Sequence, residues 1–148
     1  MSRQTFKLEG GRQLEEALKQ FTRPMAKAVG RRALKKAADP IFRVYQANTT
    51  VASGNLIESE TIGTRLNKRQ ARLNRKNASK SAVEVHIGTA DPAGIQEEFG
   101  NRHQTPSPSL SVAWASEGGQ KAVDRIGKEI AADIDKTAAR VARKVAKG

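Results

Sequence analysis

Apolar residues recur at helical spacing over three stretches of this chain and alternate with polar ones over two shorter stretches. Leu14, Ala17, Leu18 and Phe21 fall on one face of a helix, and Thr22-Arg23-Pro24 marks its stop and the restart of another. Met25, Val29, Ala33, Ala37, Ile41, Val44 and Tyr45 keep a single stripe, which predicts a helix from Pro24 to about Asn48. A kink or break is expected at Asp39-Pro40, where the proline ring clashes with the preceding turn. Val123, Ile126, Ile130, Ile134, Ala138, Val141 and Val145 predict a long C-terminal helix, set off by Gly118-Gly119. Such a stripe serves as core, as an intersubunit surface, or as both along one helix; the need to cover a small sheet favours core.

Alternation is the second signal. Thr5-Phe6-Lys7-Leu8-Glu9 ahead of Gly10-Gly11 predicts a short strand and a turn. In 81–88, Val83, Val85 and Ile87 share one face and Glu84 and His86 the other, as in a half-buried strand, with a partner strand expected within 58–66. Residues 48–55 lose periodicity. The expected fold class is therefore α+β in a single domain, 1–148: a small antiparallel sheet packed by a long, kinked N-terminal helix and a long C-terminal helix, with an extended basic loop or hairpin extension at about 62–82.

Residues 91–114 punctuate the chain most densely. Asp91-Pro92 suits the start of a short helix, with the aspartate as cap and the proline where its missing N–H costs nothing. Gly100 suits its end and leaves Phe99 as a hydrophobic anchor on the last turn. Pro106 and Pro108 force an extended path, after which Ser109 is the candidate cap of a helix whose apolar run starts with Leu110, Val112, Ala113 and Trp114. Trp114 reads as a core or interface anchor rather than a base-stacking platform, since one Trp and one Tyr make no aromatic series.

Charge changes the picture more than composition does. With 37% hydrophobic and 4% aromatic residues, the core must be thin and built from Ala, Val, Ile and Leu, which fits burial against partner subunits. The formal net charge of +12 implies attraction to polyanions or acidic protein surfaces. It is concentrated in 62–82, where Arg65, Lys68, Arg69, Arg72, Arg75, Lys76 and Lys80 stand without an acidic residue and read as an exposed loop or hairpin tip. Arg31, Arg32, Lys35 and Lys36 form a second cluster, read as a solvated helix face. The absence of cysteine excludes a disulfide framework and cysteine-based zinc sites and fits manufacture in a reducing cytoplasm. No apolar run is long enough to cross a bilayer, and no membrane association is expected.

No catalytic, metal-binding or cofactor-binding set emerges, and no enzyme is expected. His86 and His103 are the only histidines and have no partners at ligand spacing; they read as a strand-surface and a loop residue. Glu97 and Glu98 are adjacent and diverge by about 100° on a helix, so they cannot face one substrate as an acid/base pair and read as surface or interface charges. Phosphate loops, dinucleotide turns and nucleophile elbows are missing from the sequence.

The order Glu98-Phe99-Gly100, a polar loop, then Pro108, Leu110 and Ala113 opening a C-terminal helix resembles the tail-completion, or head-to-tail joining, family of long-tailed bacteriophages. Ser109, Ser111 and Val112 stand where that family usually has Phe, Arg and Pro, and Ser53-Gly54-Asn55-Leu56 is similar to its segment ahead of the sheet. The resemblance implies a structural neck protein of the virion, made in the host cytoplasm, that forms a homo-oligomeric, hexameric ring around the DNA channel. It implies as partners the tail terminator or tail tube and the head connector, with non-specific contact to DNA. On this reading Arg65, Lys68, Arg69, Arg72, Arg75 and Lys76 would meet a partner or DNA, while Glu98, Phe99, Gly100, Pro106, Pro108, Leu110 and Trp114 would brace the loop or a subunit contact. The alternative is a stand-alone basic nucleic-acid-binding module, for which the sequence offers charge but no base-reading motif.

Overall fold

The structure, a computed structural model of the chain, describes residues 8, 10–50, 54–75 and 83–148. The strand expected over 5–9 lies, apart from Leu8, outside the described residues, as do Ser53, Lys76 and Lys80. Among the described residues the elements run α1 (Gly11–Lys19), α2 (Arg23–Asn48), α3 (Asn55–Ser59), β1 (Glu60–Gly63), α4 (Lys68–Asn74), β2 (His86–Thr89), α5 (Ala93–Phe99), α6 (Ser109–Glu117) and α7 (Gly119–Lys147). The chain is thus mostly helical with one small antiparallel sheet. Two compact units share it, one made of 1–37 with 119–148 and the other of 38–118.

In the first unit α1 packs on α7, and the N-terminal part of α2 contributes the buried residues Val29, Ala33 and Ala37 at four-residue intervals. Ala122 of α7 is buried as well, and such small side chains let helix backbones approach closely. Arg32 Nε lies 2.7 Å from Asp133 and Lys36 Nζ 3.3 Å from Glu129, while Arg125 Nε donates to the carbonyl of Ala37 at 3.0 Å. These pairings step forward along α2 and backward along α7, so the two helices run antiparallel. The cluster expected to be a solvated face is exposed, yet two of its four members, Arg32 and Lys36, point across to α7. Exposed pairs of this kind contribute at most about 1 kcal/mol each and act mainly on register.

Two expectations about these helices change. No break occurs at Asp39-Pro40, and α2 continues through the proline. A proline has no N–H for the carbonyl one turn earlier and crowds that turn; the Arg125 guanidinium supplies a donor at the adjacent carbonyl of Ala37. The C-terminal stripe divides: Val123, Ile126, Ile130 and Ile134 are half-buried, whereas Ala138, Val141 and Val145 are exposed, and no residue after Thr137 is buried.

In the second unit β1 and β2 pair antiparallel with Ile62 opposite Ile87 and Gly63 opposite His86. The ladder starts at His86 rather than at the head of 81–88, because β1 ends at Gly63 and leaves Val83–Val85 without a partner strand. The connection is not the extended loop expected of 62–82: Lys68–Asn74 is helical. Asn67 accepts from the Gln70 N–H and Gln70 Oε1 from the Asn67 N–H, a reciprocal capping box that starts a helix despite the charge density.

Candidate assembly surface

The residues singled out between 91 and 114 meet at the joint of α5 and α6, which pack on one another. Asp91 Oδ1 accepts from the Ala93 N–H at 2.9 Å and starts α5 as expected. At its end Gly100 has φ 71° and ψ 177°, a region essentially restricted to glycine. A Cβ there would lie 2.8 Å from both the Gln104 carbonyl and the Pro106 ring. The polar loop is therefore folded tightly back against the helix end, closed by the Asn101–Gln104 bridge.

Ser109 is not the cap of α6. The helix starts one residue earlier than that role needs, with Pro108 at the N-cap and Ser109 already helical. Proline has no N–H to satisfy, and the Ser109 N–H bonds the Ser107 carbonyl at 2.8 Å. The two remaining free donors go to one side chain: Glu98 accepts from the Leu110 N–H at 3.1 Å and the Ser111 N–H at 2.9 Å, and also from the Ser111 hydroxyl. A carboxylate delivered from α5 thus completes the N-terminus of α6, where the helix dipole also favours negative charge. Glu98, Gly100, Pro106, Pro108 and Leu110, read separately in the sequence, form one bonded joint.

Glu97, expected at the surface with its neighbour, is instead buried at 3% exposure. Its side chain accepts from the Thr50 N–H and its carbonyl from the Ser107 N–H, which ties α5 to the end of α2 and to the proline segment. Beside it Glu60, buried at 5%, accepts from the Thr49 hydroxyl through Oε1, while Oε2 has no hydrogen-bond partner among the described residues. Burial raises the Glu60 pKa, opposed by the Thr49 hydrogen bond and reinforced by the Glu97 charge. Burial and the charges of Glu60 and Glu97 likewise push the Tyr45 phenol well above its ordinary range. The second unit buries Thr49, Glu60, Glu97 and Ser109 beside only three hydrophobic residues, Ile41, Tyr45 and Ala113. Its interior is polar.

Its outside is correspondingly apolar. Phe99 is 75% exposed and Trp114 51%, so neither is a core anchor; both side chains are too large for an interior already filled by the polar set. Leu73, Ile95 and Val112 are exposed as well. Ile95, Phe99, Leu110 and Trp114 line, with Leu73 and Ile87, a groove of about 830 Å³ floored by Ile41 and Tyr45. The ionisable residues in this lining are Asp91, Glu98, Arg69 and Tyr45.

Arg65, Lys68, Arg69, Arg72 and Arg75 are all exposed on or beside α4, and Lys76 lies outside the described residues. Asn74 fastens the end of α4 to Glu84 at 3.0 Å, so the cations sit on a held helix rather than a loose tip. His86 on β2 lies 3.6 Å from the Glu84 carboxylate, and His103 is exposed in the turn after α5. Among the described residues no group of three or more His, Asp or Glu could hold a metal ion, and no helix is long and apolar enough to cross a membrane. Comparisons with protein-family models, curated proteins and solved structures found no match for the chain.

Proposed function

We propose that this chain is a structural virion protein of a tailed phage, a tail-completion or head-to-tail joining component that assembles as a ring around the DNA channel in the neck. The observation that carries the reading is the pair Phe99 and Trp114, presented to solvent by a joint whose shape Glu98 and Gly100 determine. A chain that buries carboxylates and leaves its large aromatics outside gains by association: covering a side chain of this size is worth roughly 1.5–3 kcal/mol. The same joint contains the residues on which the family resemblance rests. Its function in this reading is shape, and the mechanism is assembly without turnover.

A ring requires a heterologous contact, in which one surface of each copy meets a different surface of the next, and closure sets the copy number. The sixfold symmetry of such tails makes that ring a hexamer. Its two rims would meet the tail terminator or tail tube and the head connector, with the α4 cations facing an acidic neighbour or the DNA. Mass measurement of the purified protein, with imaging of assembled necks, tests the reading. A discrete closed oligomer located at the head–tail junction supports it, and a persistent monomer that binds neither tail nor head components overturns it.

The exposed cations of α4 favour a second reading, a stand-alone nucleic-acid-binding module. It requires DNA affinity in the isolated protein that falls steeply with salt. Negligible binding at physiological salt would remove it.

A further inference from the structure

The groove of the second unit is one of two apolar surfaces left open on this chain. The other is the end of α7. Residues 138–148 are all exposed, and Val145 is 76% accessible. At about 100° per residue, Ile134, Ala138, Val141 and Val145 fall within an arc of roughly 60°, a narrow ridge along the helix. Arg140, Arg143, Lys144 and Lys147 occupy the rest of the circumference, and 138–148 contains no acidic residue. One surface is a convex apolar ridge with cationic flanks. The other is a concave apolar groove whose lining carries Asp91 and Glu98 against the single cation Arg69.

We propose that residues 138–147 of one copy seat in the groove lined by Ile95, Phe99 and Trp114 of a second copy. Val141 and Val145, one helical turn apart, enter between the two aromatic side chains, and the long basic side chains reach from the flanks of the ridge toward Asp91 and Glu98. Charge sign selects this pairing over groove against groove, which would bring the same acidic lining together. Ridge and groove lie on different parts of the chain, so the contact is heterologous and propagates from copy to copy as a ring needs. The inference rests on the assembly reading above and identifies its interface.

The chain has no cysteine and one tryptophan, so both sides of the contact can be labelled cleanly. The test mixes the single variants F99C and V145C under mild oxidation, alongside sedimentation and Trp114 emission of the full chain and of the double variant V141D/V145D. The expected result is a covalent dimer in the mixture and in neither variant alone. Emission of the full chain should shift to the blue on association, and association of V141D/V145D, with helix content retained, should weaken at least tenfold. An associating full chain that gives no cross-link, or a V141D/V145D variant that associates as well as the parent, overturns this interface and leaves ring assembly standing. A full chain that stays monomeric at every concentration overturns both, and an internal disulfide in monomeric F99C/V145C would show the ridge seated on its own chain instead.

Discussion

Replacing Glu98 should destabilise the second unit far more than an ordinary helix-surface carboxylate would. In Glu98→Ala the Leu110 and Ser111 N–H groups lose their acceptor, and neither Pro108 nor Ser109 can substitute, since the proline has no polar side chain and the serine already lies inside the helix. Loss of an N-cap acceptor costs about 1 kcal/mol, and a favourable charge at a helix N-terminus contributes about 0.3–1 kcal/mol more. Two amides and one hydroxyl are involved here, in a partly buried setting, so the expected loss is about 2 kcal/mol. Glu98→Gln keeps one acceptor oxygen and forfeits the charge, for a loss of about 1 kcal/mol. Urea unfolding followed by far-ultraviolet circular dichroism at one fixed protein concentration measures both, and in a thermal melt the shifts should be about 6 °C and 3 °C. An alanine variant within about 0.5 kcal/mol of the parent, the range of neutral surface changes, would refute the cap. Equal losses for alanine and glutamine would show that charge alone matters and the hydrogen-bond geometry does not.

Three further outcomes follow from the same geometry. Gly100→Ala should cost at least about 1–3 kcal/mol in urea unfolding, because φ 71° is strained for alanine and its Cβ would meet Pro106 at 2.8 Å. Glu60 has a raised folded-state pKa, so the folded protein binds its proton more tightly than the unfolded chain does; its contribution favours folding at low pH and is lost as pH rises through the folded-state value. Glu60→Gln should therefore gain stability relative to the parent as pH increases from about 4 to 8, and a difference flat with pH would contradict this. Lys68→Glu with Arg72→Glu should leave folding unchanged, both side chains being exposed, while removing whatever salt-sensitive binding the protein shows to DNA or to acidic partner proteins in a filter or pull-down assay.

The long helices were legible in the sequence because their apolar stripes coincide with what they bury: Val29, Ala33, Ala37, Ile41 and Tyr45 are the buried face of α2. The antiparallel pairing of β1 with β2 was legible for the same reason, from alternation around Ile87 and a partner within 58–66. Charge density concealed α4, although Asn67 and Gln70 stand three apart in the pattern of a capping box. Periodicity says nothing about partners distant in sequence, and that is where the site lies. Glu98 reaches residues 12 and 13 positions away, and Glu97 reaches back 47 to Thr50. Two adjacent glutamates on a short helix look like surface charge. Their separation around the helix, which argues against a shared substrate, is what sends one inward to Thr50 and the other across to α6. Phe99 and Trp114 were legible as anchors, but sequence alone could not distinguish anchoring within the chain from anchoring between copies.

Sedimentation velocity of the purified full chain across a wide concentration range tests assembly most directly. The account predicts a discrete closed oligomer, a hexamer, whose formation buries Trp114 and shifts its emission to the blue. A single monomeric species at every concentration, with Trp114 emission unchanged and no association with tail or head components, would contradict it.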